Sequence, residues 1–233
     1  MFPQPPPPIT LATPLSLRTS FRFPVQHAQA RQEVLLGAAL LLVFPLGWLL
    51  NMGHRIVLVH RMHCGQPAWP AWPAWGRQGW DWVGWRALLR HGGLTFLGMV
   101  QYHTPAVALE VLAWHLHSPA LHAVAALLWV LATAAVPGYM THYCRTLDPR
   151  EIFDPWRALR RVQEGGRAYW HAWGIALCAL ACSFLGLLAG GVGFLVSSVW
   201  FWQVAGFSFA TVFTQRFELG PGAGATVAPA PPT

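Results

Sequence analysis

Four long apolar runs, Leu94–Trp114, Ala120–Met140, Ala168–Ala189 and Val192–Thr214, constrain this chain more than any other feature. Each reaches the roughly 20 mostly apolar residues that carry an α-helix across ~30 Å of hydrocarbon. None contains an arginine, and Glu110 is the one acid among them. Hydrocarbon offers no partner to a free backbone N–H or C=O, so such runs can only be helices packed together. The expected fold is therefore all-α, a polytopic transmembrane helical bundle with four full spans. Composition agrees: 10% of residues are charged, against about 25% in a soluble domain. One helical domain over 32–217 is expected. A Pro-rich tail over 1–31 and a Gly/Pro/Ala tail over 218–233 bury too little apolar surface to order themselves. The first apolar run begins only at Val34, so no signal peptide is expected.

The basic side chains number 15, and every one is an arginine, giving a formal charge of +7. They alternate with the apolar runs instead of forming one stripe. That pattern belongs to cytoplasmic loops beside membrane spans and argues against a nucleic-acid partner. The location that follows is the inner (plasma) membrane, multi-pass, with arginine-rich loops facing the cytoplasm. The expected partners are membrane lipids, anionic ones above all, and a second membrane protein.

Val34–Leu50 is the ambiguous segment, because Pro45 and Gly47 interrupt it. If it crosses as a fifth span, the arginines divide 12 against 3 across the membrane. If it re-enters as a hairpin turning near Pro45, they divide 15 against 0. The positive-inside rule favours the hairpin. Irregular backbone at that depth must be covered by protein.

The loops carry their own signals. Pro67-Ala-Trp, Pro70-Ala-Trp and Pro73-Ala-Trp form a triplet repeat. In polyproline II, with three residues per turn, it places Trp69, Trp72 and Trp75 on one edge, about 9 Å apart. Trp80 and Trp82 follow. These rings suit the headgroup layer, or alternatively a stacking surface for a ligand or partner. Further on, Asp154-Pro155 starts a helix with an acid at the N-cap and proline at N1, and Gly165-Gly166 ends it. Ile152, Phe153, Trp156, Leu159 and Val162 fall on one side of it, and Arg150, Arg157, Arg161 and Glu164 on the other. An interfacial amphipathic helix on an anionic leaflet is expected, with Phe153, Trp156, Arg157 and Arg161 at the membrane surface. The four cysteines show no CxxC spacing and are expected to be free thiols.

Leu50-Asn51-Met52-Gly53-His54-Arg55 closes the first apolar segment. Pro73, Trp75 and Trp80-Asp81-Trp82 precede the next, and arginine-rich Phe153–Arg161 precedes two glycine-rich runs. In these features the chain resembles the prokaryotic membrane proteins grouped as domain of unknown function number 4013. That family looks related to the membrane domain of glycerophosphodiester phosphodiesterases. The resemblance covers about Gln32 to Phe217. It departs in the extra Pro-Ala-Trp triplets and the sparser loop acids. It implies a topology type and no reaction, so no catalytic residue carries over.

Polar side chains inside the runs are the candidates for chemistry. Gln101-Tyr102-His103-Thr104-Pro105 lies ~10–16 Å into its helix at 1.5 Å per residue. Pro105 leaves the Gln101 carbonyl without its helical donor. His103 and Glu110 are seven apart and share a face. Ionisable groups at such depth are expensive and mark either a functional site or a satisfied, kinked core. The histidines His91, His142 and His171 at one interface, and His115, His117 and His122 at the other, raise haem ligation as a further option. No GxSxG, HExxH or paired carboxylates occur, which argues against hydrolysis. Gly186 and Gly190 form a small-x3-small pair suited to close helix packing within the chain. The function expected is a non-enzymatic scaffold or accessory protein acting through lipid or protein contacts, with no cofactor. The alternatives are a small-molecule or ion permease using the midplane cluster, and a haem or quinone protein.

Overall fold

The computed structural model describes residues 8–74 and 81–217, and among them every regular element is helical. The helices are α1 (Leu17–Arg22), α2 (Ala28–Leu40), α3 (Leu46–His63), α4 (Trp82–Leu116), α5 (Pro119–Thr146), α6 (Pro155–Phe184) and α7 (Val192–Phe217), with short 3-10 turns at Phe23–Val25, Pro149–Glu151 and Leu185–Ala189. Three are long and apolar enough to cross a membrane: α5, α6 with its 3-10 extension to Ala189, and α7. The run Leu94–Trp114 lies wholly inside α4, which at 35 residues extends ~52 Å at 1.5 Å per residue. Gln101–Pro105 and Glu110 dilute its apolar character, and this separates α4 from the other three.

Val34–Leu50 is not one helix. It is divided between α2 and α3 by a break at 41–45, where Pro45 cannot continue the α2 hydrogen-bond ladder. Asn51 clips the two arms together: its Nδ2 donates to the carbonyls of Gly37 at 2.9 Å and Gly47 at 2.8 Å. Leu42, Val43 and Phe44 at the tip are bare, Phe44 being 75% exposed.

α3 runs antiparallel to α4 at backbone contact. A Cβ on Gly53 would stand 2.0 Å from the Leu88 carbonyl oxygen, and one on Gly92 1.9 Å from that of Leu49. Only glycine permits this approach. α4 turns into α5 through His117, in the left-handed region at φ 47°, and Ser118, whose hydroxyl accepts from the Leu121 N–H. After α5 the chain doubles back. Ile152 is fully buried under Gly98 of α4 and Tyr139 of α5. Asp154 then caps α6 by accepting from the Arg157 N–H at 3.0 Å. At Gly166 the backbone adopts φ 54°, ψ −139°, a conformation closed to other residues, and this separates the arginine-rich first part of α6 from its apolar second part. α6 and α7 close on each other where Gly186 meets Gly193.

Residues 8–31, expected as a tail, are part of the packed structure. Phe23 is fully buried and stacks on Phe207 at 4.5 Å. Trp200 Nε1 donates to the Phe21 carbonyl at 3.2 Å, and Ser208 Oγ donates to Ser20 Oγ at 3.0 Å. Five of the seven prolines in residues 1–31 lie ahead of Ile9, and the apolar side chains that follow find a groove on α7. Residues 1–7, 75–80 and 218–233, including the rest of the expected tails, lie outside the described residues.

Candidate functional site

α3 is buried along most of its length. Leu50, Met52, Gly53, His54, Arg55, Ile56, Leu58 and Val59 are all enclosed, because α4, α5 and α7 surround it. A helix enclosed on every side has no polar face on which to place a charge. Arg55 is nevertheless there, 5% exposed. Its Nη2 lies 3.7 Å from the Met140 sulfur, and its guanidinium carbon sits 4.8 Å from the centre of the Trp202 ring. Among the described residues no carboxylate pairs with it. A thioether and a ring face are weak partners for a guanidinium that has five N–H donors.

Arg55 forms part of the wall of a half-open cavity of about 360 Å³ lined by α3, α4, α5, α6 and α7. Met99, Val136, Leu180, Phe201 and Phe209 make most of that wall apolar. A second cavity of about 240 Å³ meets the first at Arg55 and Trp202. Its wall is more polar, with Asn51, Ser198 and Gln203. Gln203 is 4% exposed, and its Oε1 accepts no hydrogen bond.

The midplane cluster is divided by the structure. His103 reaches the large cavity. Its Nδ1–H donates to the Met99 carbonyl at 2.8 Å, leaving Nε2 to accept from the Thr133 hydroxyl at 3.3 Å. Tyr102 turns the other way and stacks on Tyr139 at 4.9 Å. Gln101 and Thr104 are exposed, and Thr104 returns its hydroxyl to the Val100 carbonyl at 2.7 Å. Glu110 stands apart from the cavity, where it accepts from His122 Nδ1 at 2.9 Å and ties α4 to α5. The shared face of His103 and Glu110 is real, but a seven-residue rise separates their surroundings.

The tryptophans divide similarly. Trp69 is 4% exposed and packs on Phe23 at 5.3 Å, so it belongs to the core and does not stand at a lipid interface. Trp72 stacks on His54 at 4.2 Å, and its Nε1 donates to the Glu33 carbonyl at 3.1 Å. His54 in turn donates from Nε2 to the Pro70 carbonyl at 3.0 Å, with Glu33 Oε2 at 3.8 Å. The Pro-Ala-Trp loop is thus fastened onto α2 and α3. Burial pushes the Glu33 carboxyl up from the usual carboxylate range. Trp82 is exposed. Trp75 and Trp80 lie outside the described residues.

On the first part of α6, the expected apolar side is shared between two surroundings. Ile152, Ala158 and Leu159 pack on the bundle, while Phe153 is exposed and Trp156 is 82% exposed. Arg157 pairs with Glu151, and Arg160 with Glu164 at 2.9 Å. Arg161 is half-buried, with an Nε that has no hydrogen-bond partner. Two histidines tie helices together: His60 Nδ1 donates to the Cys144 carbonyl at 2.9 Å, and His91 Nδ1 meets Tyr143 Oη at 2.6 Å. Among the described residues no group of three metal-ligating side chains is present.

Arg55 is the residue that the reading of the sequence missed. Counting arginines as loop charges placed it beyond the first apolar segment. Its signal was present in Met52, Ile56, Leu58 and Val59, which surround it with apolar side chains at helical spacing. No family model matches the chain, and neither a curated protein nor a solved structure does. The three apolar helices make it a membrane protein by length and composition, and the function must be argued from the geometry.

Proposed function

We propose that the chain is a multi-pass plasma-membrane protein that works through lipid and protein contacts, with α4 to α7 as four spans and α2–α3 as a re-entrant hairpin. The observation that carries this reading is the distribution of bare apolar side chains. Val107 and Val111 on α4, Leu127 and Val130 on α5, Leu177 on α6 and Leu188 beyond it are all exposed. An apolar surface of that extent on a monomer is a contact surface, and on helices this long it suits lipid. The exposed tip Leu42–Val43–Phe44 extends the same logic to the hairpin. The arginines of the first part of α6 and of the loops then fall on the cytoplasmic side. There Trp156 and the neighbouring guanidinium groups engage an anionic leaflet. The resemblance to the domain of unknown function 4013 family belongs to the same proposal. Its support is the sequence motif Leu50–Arg55 together with Pro73, Trp75 and Trp80-Asp81-Trp82. A permease reading has less support, because His103 and Glu110 serve different surroundings.

The test is topological. Ala12, exposed ahead of α1, is replaced by cysteine in a chain whose four native cysteines have been removed. Intact cells are then treated with a membrane-impermeant thiol reagent. The hairpin predicts labelling only after the cells are opened. Labelling of intact cells would establish a fifth span and overturn the arrangement.

A further inference from the structure

We infer that the paired cavities around Arg55 form a binding site for a single-chain amphiphile with a carboxylate head, the head on the Arg55 guanidinium and the chain in the larger cavity. This rests on the membrane placement proposed above, and it identifies the chemistry that the interior accepts. A charge enclosed by apolar helices is costly unless something pairs with it. Among the described residues the Arg55 guanidinium contacts the Met140 sulfur and the Trp202 ring, with Cys144 and Tyr139 near enough to act on its charge, and no carboxylate pairs with it. Arg55 lines both cavities. An oxyanion is the ligand that satisfies a planar guanidinium with two parallel hydrogen bonds.

The rest of the ligand follows from the walls. One side of Arg55 is apolar, with Met99, Val136, Leu180 and Phe209. The other side carries Asn51, Ser198 and the unpartnered Gln203 Oε1. A molecule lying across that boundary is polar at one end and apolar at the other. The larger cavity, at about 360 Å³, is at the small end of the ~300–1,000 Å³ range of ligand sites, which suits one chain better than two. Among the described residues Arg55 is the only Arg, Asp or Glu on either wall. A head of one negative charge is therefore matched, whereas a phosphate monoester carries about −1.5 to −2 at neutral pH. Thr133 and Trp202 line the cavity and are exposed, so a chain dissolved in the bilayer has a side entrance.

The experiment uses the full chain in nanodiscs of neutral phospholipid, read by native mass spectrometry after titration with hexadecanoate. Hexadecanol, hexadecyl phosphate and hexadecyltrimethylammonium are run as parallel probes. Wild type is expected to retain one hexadecanoate and to bind it more tightly than the other three. Arg55→Met is expected to lose about tenfold to hundredfold in hexadecanoate affinity, the worth of a charge-assisted hydrogen bond. It should leave hexadecanol binding within about threefold of wild type. Arg55→Met removes an uncompensated charge, so the ligand-free variant is expected to melt at or above wild type. If Arg55 were structural, its loss would lower the melting midpoint. Arg55→Lys, which keeps the charge and loses the fork, is the fallback should Arg55→Met not assemble, and it is expected to bind hexadecanoate several-fold more weakly than wild type. Equal binding of hexadecanoate and hexadecanol, or unchanged hexadecanoate binding in the Arg55 variants, overturns the inference. Preference for hexadecyl phosphate overturns the carboxylate assignment. Each of these outcomes is independent of the thiol-labelling result, so the site and the topology can fail separately.

Discussion

Substituting Gly92 with alanine should destabilise the protein, while the same change at Gly93 should stabilise it. The two glycines are adjacent on α4 and share helix propensity, so the difference isolates packing. Alanine is favoured over glycine inside a helix by about 1 kcal/mol. At Gly93 nothing lies within 4 Å of a new Cβ, and that gain is expected in full. At Gly92 the Cβ would lie 1.9 Å from the Leu49 carbonyl oxygen, where real contacts do not fall below 3.0 Å. The obstacle is backbone, which cannot rotate away. α3 and α4 must therefore part by about 1 Å, and the dispersion contacts along the seam weaken together. Overpacking of this kind costs about 1–3 kcal/mol, and an immovable neighbour places Gly92→Ala near the upper end. Set against the propensity gain, the net loss is about 1–2 kcal/mol, and the two variants should differ by about 2–3 kcal/mol. Gly53→Ala meets the Leu88 carbonyl at the same seam. One separation of the helices relieves both clashes, so the double variant should cost less than the sum of the singles. The assay is denaturant or thermal unfolding in detergent, followed by tryptophan fluorescence. Equal midpoints for Gly92→Ala and Gly93→Ala would refute the backbone contact between α3 and α4.

Two further outcomes are expected. Burial raises the folded-state affinity of Glu33 for a proton, so its contribution is most favourable below the ordinary carboxylate pKa of about 4.3 and is lost as pH rises through the folded value; Glu33→Gln, neutral at every pH, should therefore raise the melting midpoint at pH 7.5 and change it little at pH 4, and a destabilised variant at pH 7.5 would contradict this. In a peptide covering residues 148–166, replacing Arg150 and Arg160, both exposed in the protein, with glutamine should weaken binding to anionic relative to neutral vesicles by about 30-fold, taking roughly 1 kcal/mol per surface arginine; an unchanged ratio measured by co-flotation would remove the electrostatic role of that segment.

The apolar runs fixed the class of this protein before any coordinates. Hydrocarbon and water impose helices on runs of that length and composition, whatever surrounds them. Local chemistry was equally legible where it acts within a few residues: Asp154-Pro155 starts α6, Gly166 separates its two parts, and Pro45 breaks Val34–Leu50 into α2 and α3. Burial was not legible, because it depends on which helix faces which. Trp69 has the composition of an interfacial anchor and becomes a core residue because residues 9–25 pack beside it. His103 and Glu110 share a helix face, yet their surroundings come from different stretches of α5. Arg55 shows the limit most plainly. In sequence it follows an apolar segment as a flanking arginine should, and a rule that counts charges by linear position puts it in water. Only the convergence of α4, α5 and α7 on α3 encloses it, because desolvation is a property of neighbours that lie far along the chain and close in space.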